Sequence, residues 1–174
     1  MKNLKFPTLT LAIAPTGRGF AFAVLEGPQT PFDWGSKFIK RPGKNAAILK
    51  SVQEIIERCH PAALIIQDVS HQSAGRPART KALALSLKHL AGALQISFYQ
   101  YDRAAIRRTF APVGARTKYE IARSIAVQIP AFSDKLFPLR KTWMSEDHRQ
   151  ALFDAIALVL THYKETSDNP NPAS

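Results

Sequence analysis

The chain has 174 residues, 45% of them hydrophobic, and no apolar run of about 18 residues, so it predicts one globular domain with a core and no membrane span. Cys59 is the only cysteine and the first residues lack a signal-peptide pattern, so we expect no internal disulfide and a cytoplasmic or other reducing location. The formal net charge of +11 favours polyanions, most simply nucleic acid, over the alternative of a basic but merely well-solvated surface.

The first predicted element is a β-hairpin. Apolar residues typical of strands run over 9–14, a Pro- and Gly-containing turn covers 15–19, and a second apolar run covers 20–25. A third strand is predicted over 34–39. Three strands joined by short links indicate an antiparallel meander at the start of the sheet.

Helical periodicity predicts a helix over 45–60, which Pro61 ends. Residues 63–69 then form a short run that is apolar on both faces, which is typical of a central parallel strand. The preceding helix is its crossover connection. A loop over 70–80 leads to a Leu-rich helix over 81–94 and a fifth strand over 95–101.

The rest of the chain is predicted to be helical. Asp102 is placed to cap a short helix, Thr117 to cap a helix over 118–129, and Ser145 to cap a last helix that ends near Tyr163. In the loop before that helix, Trp143 and Met144 are expected to pack in the core, with base stacking as the alternative. The Asn/Pro/Ser-rich residues 166–174 predict a disordered tail, so the folded domain is expected over 1–165.

The element order β-β-β-α-β-α-β-α-α-α predicts an α/β protein. We expect a five-stranded mixed sheet whose first three strands are antiparallel, flanked by helices, which is the RNase H-like layout. In this layout acids at the ends of strands one and four and on the last helix can hold two Mg²⁺ ions about 4 Å apart for phosphodiester cleavage.

Three carboxylates are candidates for such a site. Asp154 lies in an apolar helical run, where an unpartnered carboxylate is costly, although a solvated helix stripe is the alternative. Asp147 lies seven residues earlier, about 10.5 Å along a helix, and helix capping explains it equally well. Asp68 follows Gln67 on strand four; because neighbours on a strand point to opposite faces, only one of the two can face the site. Ala14, at the end of strand one, offers no functional group.

Four stretches resemble motifs of the RuvC-like Holliday junction resolvases, across about residues 9–163. They are the strand and turn Leu11-Ala12-Ile13-Ala14-Pro15-Thr16-Gly17, the strand Leu64-Ile65-Ile66-Gln67, the helix start Arg116-Thr117-Lys118, and the helix Phe153-Asp154-Ala155-Ile156-Ala157. The resemblance implies an RNase H-like fold, a homodimer, DNA as partner, and cleavage of branched DNA with Mg²⁺ or Mn²⁺ if the chain is active.

The same resemblance exposes departures at the acidic positions. Ala14 stands where the family has an Asp and Gln67 where it has a Glu, whereas Asp154 matches and Lys118 matches a residue that faces phosphate. The losses can be natural or engineered. A shifted metal site built from Asp68, Asp147 and Asp154 is a third possibility, and a non-catalytic DNA- or RNA-binding or regulatory module on the same fold is the alternative function.

Basic residues cluster in loops and first helical turns that follow strands. The predicted nucleic-acid contacts are Arg76, Arg79, Lys81, Arg107, Arg108, Arg116 and Lys118, each with a solvated surface role as its alternative. The Leu-rich helix over 81–94 carries more apolar residues than one buried stripe needs. It is therefore the predicted dimer interface, with core packing as the alternative.

Overall fold

The computed structural model describes residues 8–40, 43–70 and 78–169. Its five strands are Leu9–Thr16 (β1), Gly19–Glu26 (β2), Thr30–Phe38 (β3), Ala63–Gln67 (β4) and Ser97–Tyr101 (β5). They form one sheet in the order β3-β2-β1-β4-β5, in which β1, β2 and β3 are antiparallel neighbours and β4 and β5 run parallel to β1. The predicted RNase H-like sheet is confirmed.

Five helices cover the two faces of the sheet. They are Lys44–Cys59 (α1), Ala78–Ala93 (α2), Arg103–Phe110 (α3), Lys118–Gln128 (α4) and Gln150–Asp168 (α5), with short 3₁₀ turns at Ala111–Val113 and Pro130–Lys135. Among the described residues, no helix is both long and apolar enough to cross a membrane.

Large and small residues alternate along the central strands, so the hydrophobic cores on the two faces of the sheet differ in composition. Large side chains of β1, β2 and β4 pack against α1 and α2, whereas alanines on the opposite face pack against α4 and α5. The alternation is plain in the sequence Leu11-Ala12-Ile13-Ala14, because successive strand residues point to opposite faces. Alanines let α5, whose Phe153 and Ile156 are fully buried, approach the sheet closely.

The helix caps predicted from sequence are confirmed for α3 and α4. The Asp102 side chain accepts from the backbone N–H of Ala105 at 2.7 Å. Thr117 and Glu120 form a reciprocal capping box at the start of α4. Helix α4 therefore begins at a fixed residue, Lys118.

The predicted boundaries of the last helix are wrong at both ends. Ser145 does not cap it; α5 begins at Gln150, because the Asp147 carboxylate and carbonyl accept from the backbone N–H groups of Arg149 and Gln150 and hold a turn just before the helix. At the other end α5 runs to Asp168 rather than Tyr163. Residues 166–168, which were expected in the tail, are thus helical.

Strand β3 starts at Thr30, earlier than the predicted residue 34. A register shift between Val24 and Leu25 lets Pro31 pair with Leu25, and β3 is an edge strand, where a missing N–H is tolerated. At the opposite end of the β2–β3 strand pair, a Cβ added to Gly19 would lie 1.8 Å from the Lys37 carbonyl oxygen. Only glycine permits this approach, which brings the end of β3 against the β1–β2 turn.

Candidate functional site

A cavity lies at the carboxyl ends of β1 and β4, where α/β sheets commonly place their ligands. Its volume is about 330 Å³. The side chains that line it include Ala14 from β1, Gln67 from β4, Lys118 from α4, Asp154 from α5, and Glu146 from the turn that precedes α5. We call it the sheet-end cavity.

Strand register decides which β4 residue faces this cavity. Ile13 pairs with Ile66, so Ala14 and Gln67 lie side by side on the face that packs against α5. Asp68 is one residue further and does not line the sheet-end cavity. It borders a separate depression with Lys81 and Lys88, and its carboxylate accepts from the Ser70 backbone N–H at 2.8 Å. The structure therefore does not place Asp68 in the cavity with Asp154.

Asp154 supplies a half-buried acid to the cavity. Its side chain is 30% exposed and flanked along α5 by buried Phe153 and Ala155. One carboxylate oxygen accepts from the Lys118 ammonium at 3.2 Å and the other from the Gln150 amide at 3.0 Å. Burial raises the pKa of Asp154 above its ordinary value, and Lys118 and Gln150 only partly oppose this.

Lys118 is held between two carboxylates. Its ammonium lies 3.2 Å from an oxygen of Asp154 and 3.2 Å from an oxygen of Glu146. A cation at the first position of a helix is disfavoured by the helix dipole, so these two acids compensate an unfavourable position. The capping box fixes the backbone of Lys118, and the two carboxylates fix its amine.

Asp147 is engaged elsewhere. Both of its oxygens accept from the Arg149 guanidinium, at 2.9 and 2.8 Å, and this pairing lowers the pKa of Asp147 to about 2. Asp147 does not line the sheet-end cavity. The structure thus separates Asp147 from Asp154, which the sequence had proposed as joint metal ligands.

The residues of the cavity do not fit a two-metal site. Divalent Mg²⁺ or Mn²⁺ requires several oxygen ligands, usually with two or more carboxylates. Here Ala14 and Gln67 carry no charge, and the remaining acids, Glu146 and Asp154, share the Lys118 ammonium. Within residues 8–40, 43–70 and 78–169, no three His, Cys, Asp or Glu side chains cluster as a metal site.

A second depression, which we call the basic groove, adjoins the cavity through Lys118 and Glu146. Its cationic side chains are Arg103, Arg107, Arg116, Lys118, Arg140 and Lys141, and its acidic ones are Glu146 and Asp147. Since Glu146 is paired with Lys118 and Asp147 with Arg149, the groove keeps a strong excess of positive charge.

The predicted nucleic-acid contacts divide into groups. Arg107, Arg116 and Lys118 line the basic groove. Arg108, the neighbour of Arg107, instead pairs with Glu165 at 3.6 Å, and Lys81 borders the Asp68 depression. Arg79 at the start of α2 lines neither, and Arg76 lies outside the described residues.

Sequence reasoning missed Glu146 and Lys44. Glu146 resembled an ordinary acid near a helix start, and only the chain path before α5 brings it to Lys118. Lys44, at the start of α1, is only 7% exposed and donates to the Gly17 carbonyl in the β1–β2 turn. Its sequence neighbourhood, Pro-Gly-Lys-Asn, gave no sign of this contact.

The sheet order and the position of the cavity are those of the RNase H-like fold. Among solved structures it is similar to Thermus thermophilus RuvC in complex with Holliday junction substrate, with a TM-score of 0.70 and 17% identity over 93% of this chain and 96% of that one. Another structure of Thermus thermophilus RuvC gives a TM-score of 0.68 and 18% identity, with 92% and 97% covered.

A more distant similarity is to the yeast mitochondrial Holliday junction resolvase, with a TM-score of 0.54, 11% identity and coverage of 95% and 85%. No family model matches the sequence, and no curated protein matches it. At these identities the similarity concerns the fold. At that level the predicted resemblance to RuvC-like resolvases is confirmed.

The two aspartates should respond oppositely to neutralisation. The pKa of Asp154 is raised, so ionising its carboxylate lowers the stability of the fold once the pH exceeds the ordinary pKa of Asp. Asp154→Asn removes this charge and should raise the melting temperature at pH 7. Asp147 has a lowered pKa, so its stabilisation is present above pH 3.8 and is lost as pH falls toward 2.

Asp147→Asn should therefore lower the melting temperature at pH 7 by about 2 to 4 °C. This corresponds to about 1 kcal/mol after allowance for solvent screening of the partly exposed pair. Thermal unfolding followed by circular dichroism from pH 2 to pH 8 covers the pH range of both effects. A similar loss of stability in both variants would contradict the contrast between the two sites.

Proposed function

We propose that this protein binds branched or duplex DNA on a RuvC-like fold, at a site that has lost the acids needed for two-metal cleavage. The basic groove is the observation that carries the proposal. Its six cationic side chains lie beside the sheet-end cavity, and only two acids accompany them, both paired with cations. Phosphates are the ligands that such a groove attracts.

The sheet-end cavity supports binding over cleavage. The resemblance to resolvases puts acids at positions 14 and 67, where this chain has Ala14 and Gln67. Lys118 occupies the space between the acids that remain, Glu146 and Asp154, and its ammonium supplies the positive charge that a metal would otherwise bring. In this arrangement Lys118 can meet a phosphate oxygen without a divalent ion.

We also propose that the protein is a homodimer in a reducing, cytoplasmic compartment, since its sequence carries a single cysteine, Cys59. On α2, Leu83 and Leu87 are buried in the core, while Leu85 is 56% exposed between them on the outer face. We place the dimer contact on this outer face of α2.

The groove predicts that adjacent arginines differ in their contribution. Arg107→Ala should weaken binding to a labelled four-way DNA junction and reduce the slope of log affinity against log salt by about 1, because one phosphate contact is lost. Arg108→Ala is the matched control, since Arg108 pairs with Glu165 and does not line the groove. Fluorescence anisotropy over a salt series measures both. Equal effects would place the DNA elsewhere.

The side chains of the sheet-end cavity predict that too few carboxylates are present for metal-dependent cleavage. The chain itself should bind a labelled four-way junction without nicking it in Mg²⁺ or Mn²⁺. Ala14→Asp combined with Gln67→Glu should gain metal-dependent nicking, because two added carboxylates join Asp154 at one point. Asp154→Asn in the double variant is the control and should abolish nicking. Cleavage by the unmodified chain would overturn the binding-only reading.

A charged substitution on the outer face of α2 tests the proposed dimer contact. Leu85→Glu should shift the sedimentation coefficient from dimer to monomer, because an ionised carboxylate in an apolar contact is strongly unfavourable. Val127→Glu, at a position on α4 that is 77% exposed, is the control and should leave the mass unchanged. A monomeric unmodified chain would disprove the contact.

A further inference from the structure

Four large apolar side chains are exposed in the chain segments that line a groove next to the sheet-end cavity. They are Phe38, Leu139, Trp143 and Met144, with exposures of 66%, 68%, 77% and 44%, and we call them the apolar rim. Phe38 ends β3, and the others belong to the segment before α5. The sequence predicted that Trp143 and Met144 pack under the last helix, and the structure instead exposes both.

The rim borders a groove that opens onto the cavity. Phe38, Leu139 and Met144 line this groove together with Thr16 and Gly17, which also line the sheet-end cavity. The groove has a volume of about 660 Å³. Gly19 brings the end of β3 against the β1–β2 turn, so Phe38 is held at the groove by backbone packing.

Trp143 is presented on a braced turn. The Met144 backbone N–H donates to the Lys141 carbonyl at 3.0 Å, which closes a four-residue turn with Trp143 at its third position. The Arg140 guanidinium donates to the Met144 carbonyl at 2.6 Å. The Lys141 ammonium lies 5.8 Å from the centroid of the Trp143 ring. These contacts orient an indole that otherwise faces solvent.

Cations alternate with the apolar rim. Arg18, Lys37 and Arg140 line the groove, and Lys141 lies against Trp143. In the part of the chain that the structure describes, none of these four forms an ion pair. The groove's own acids, Glu146 and Asp147, are paired with Lys118 and Arg149. The surface therefore offers both positive charge and exposed aromatic side chains.

We propose that the apolar rim is a stacking platform for unpaired bases of a nucleic-acid strand whose phosphates lie along Arg18, Lys37, Arg140 and Lys141. This inference rests on the proposed nucleic-acid binding and adds the form of strand recognised. Aromatic rings beside basic side chains bind single strands because every base has a π-face. Bases inside a duplex are stacked on each other and cannot use these rings. The rim thus selects a strand end, fork or junction centre, where bases are open, beside the cavity.

The charge pattern favours a nucleic-acid strand over a protein on this surface. A protein interface usually depletes lysine at its core, whereas here Lys37 and Lys141 lie among the apolar side chains. A polyanion with aromatic bases satisfies both components of the surface at once.

Binding of the full chain to a labelled forked DNA and to a fully paired duplex of the same length tests the inference. The forked DNA should bind more tightly. Trp143→Ala and Trp143→Leu should each weaken fork binding about 5- to 100-fold while changing duplex binding by less than about twofold. Trp143→Tyr retains an aromatic face and should retain most of the fork affinity. Phe32→Ala is the matched control and should have no effect, because Phe32 is an aromatic on β3 that is 55% exposed and, unlike Trp143, has no sequence neighbour that lines the groove.

Tryptophan fluorescence gives an independent readout. Trp143 is exposed, whereas Trp34 packs edge-on against Phe132, with ring centroids 5.1 Å apart. Stacking on a base should quench the Trp143 emission on fork binding and not on duplex binding. The quenching should disappear in Trp143→Tyr. A forked RNA tested in parallel shows which strand chemistry is preferred.

The outcomes separate this inference from the proposed function. If the unmodified chain binds neither DNA nor RNA, both fail. If it binds DNA but Trp143→Leu equals the unmodified chain, or fork and duplex binding fall together, the stacking platform is wrong and the binding function stands. If Trp143→Ala changes the sedimentation coefficient without DNA, the rim is a protein contact and the inference is overturned.

Discussion

The pairing of the Asp154 carboxylate with the Lys118 ammonium fixes the arrangement of one end of the protein. Asp154 is built into an apolar helix that packs across the sheet, so its charge needs a partner that can reach it there. Lys118 reaches it because a capping box starts α4 at that residue. Glu146 then joins the same ammonium from the segment before α5. One cation thereby connects α4, α5 and their connecting chain around the sheet-end cavity.

This pairing also explains why the cavity differs electrostatically from a metal centre. The fold brings together positions from β1, β4 and α5, as it must in any sheet of this order, but the side chains at those positions are Ala14, Gln67 and Asp154. Two acids, Glu146 and Asp154, remain there, and the Lys118 ammonium partly balances their charge. More carboxylates at this point would need more positive charge beside them. One divalent metal ion supplies two positive charges in a small volume.

Positive charge dominates the surface around the cavity. The basic groove and the groove at the apolar rim both adjoin the cavity, and the two grooves share Leu139, Arg140, Glu146 and Asp147. A ligand that crosses this end of the sheet could therefore contact both grooves. Arg140 lines both grooves, and its bond to the Met144 carbonyl braces the turn that carries Trp143. The cation proposed to contact phosphate and the ring proposed to stack on a base therefore lie on one hydrogen-bonded segment of the chain.

The amino-acid sequence alone determined the succession of strands and helices along the chain, the antiparallel start of the sheet, the caps of α3 and α4, and Asp154 as an acid out of place in an apolar helix. These follow from local periodicity and capping chemistry, which act over a few residues. Only the tertiary structure decided which acids meet. Strand register puts Gln67 in the cavity and Asp68 outside it. The path of the chain before α5 lets Asp147 form an ion pair with Arg149 and Glu146 form one with Lys118. The exposure of Trp143 was likewise undecided, because an aromatic next to a helix looks the same in sequence whether it packs beneath the helix or faces solvent.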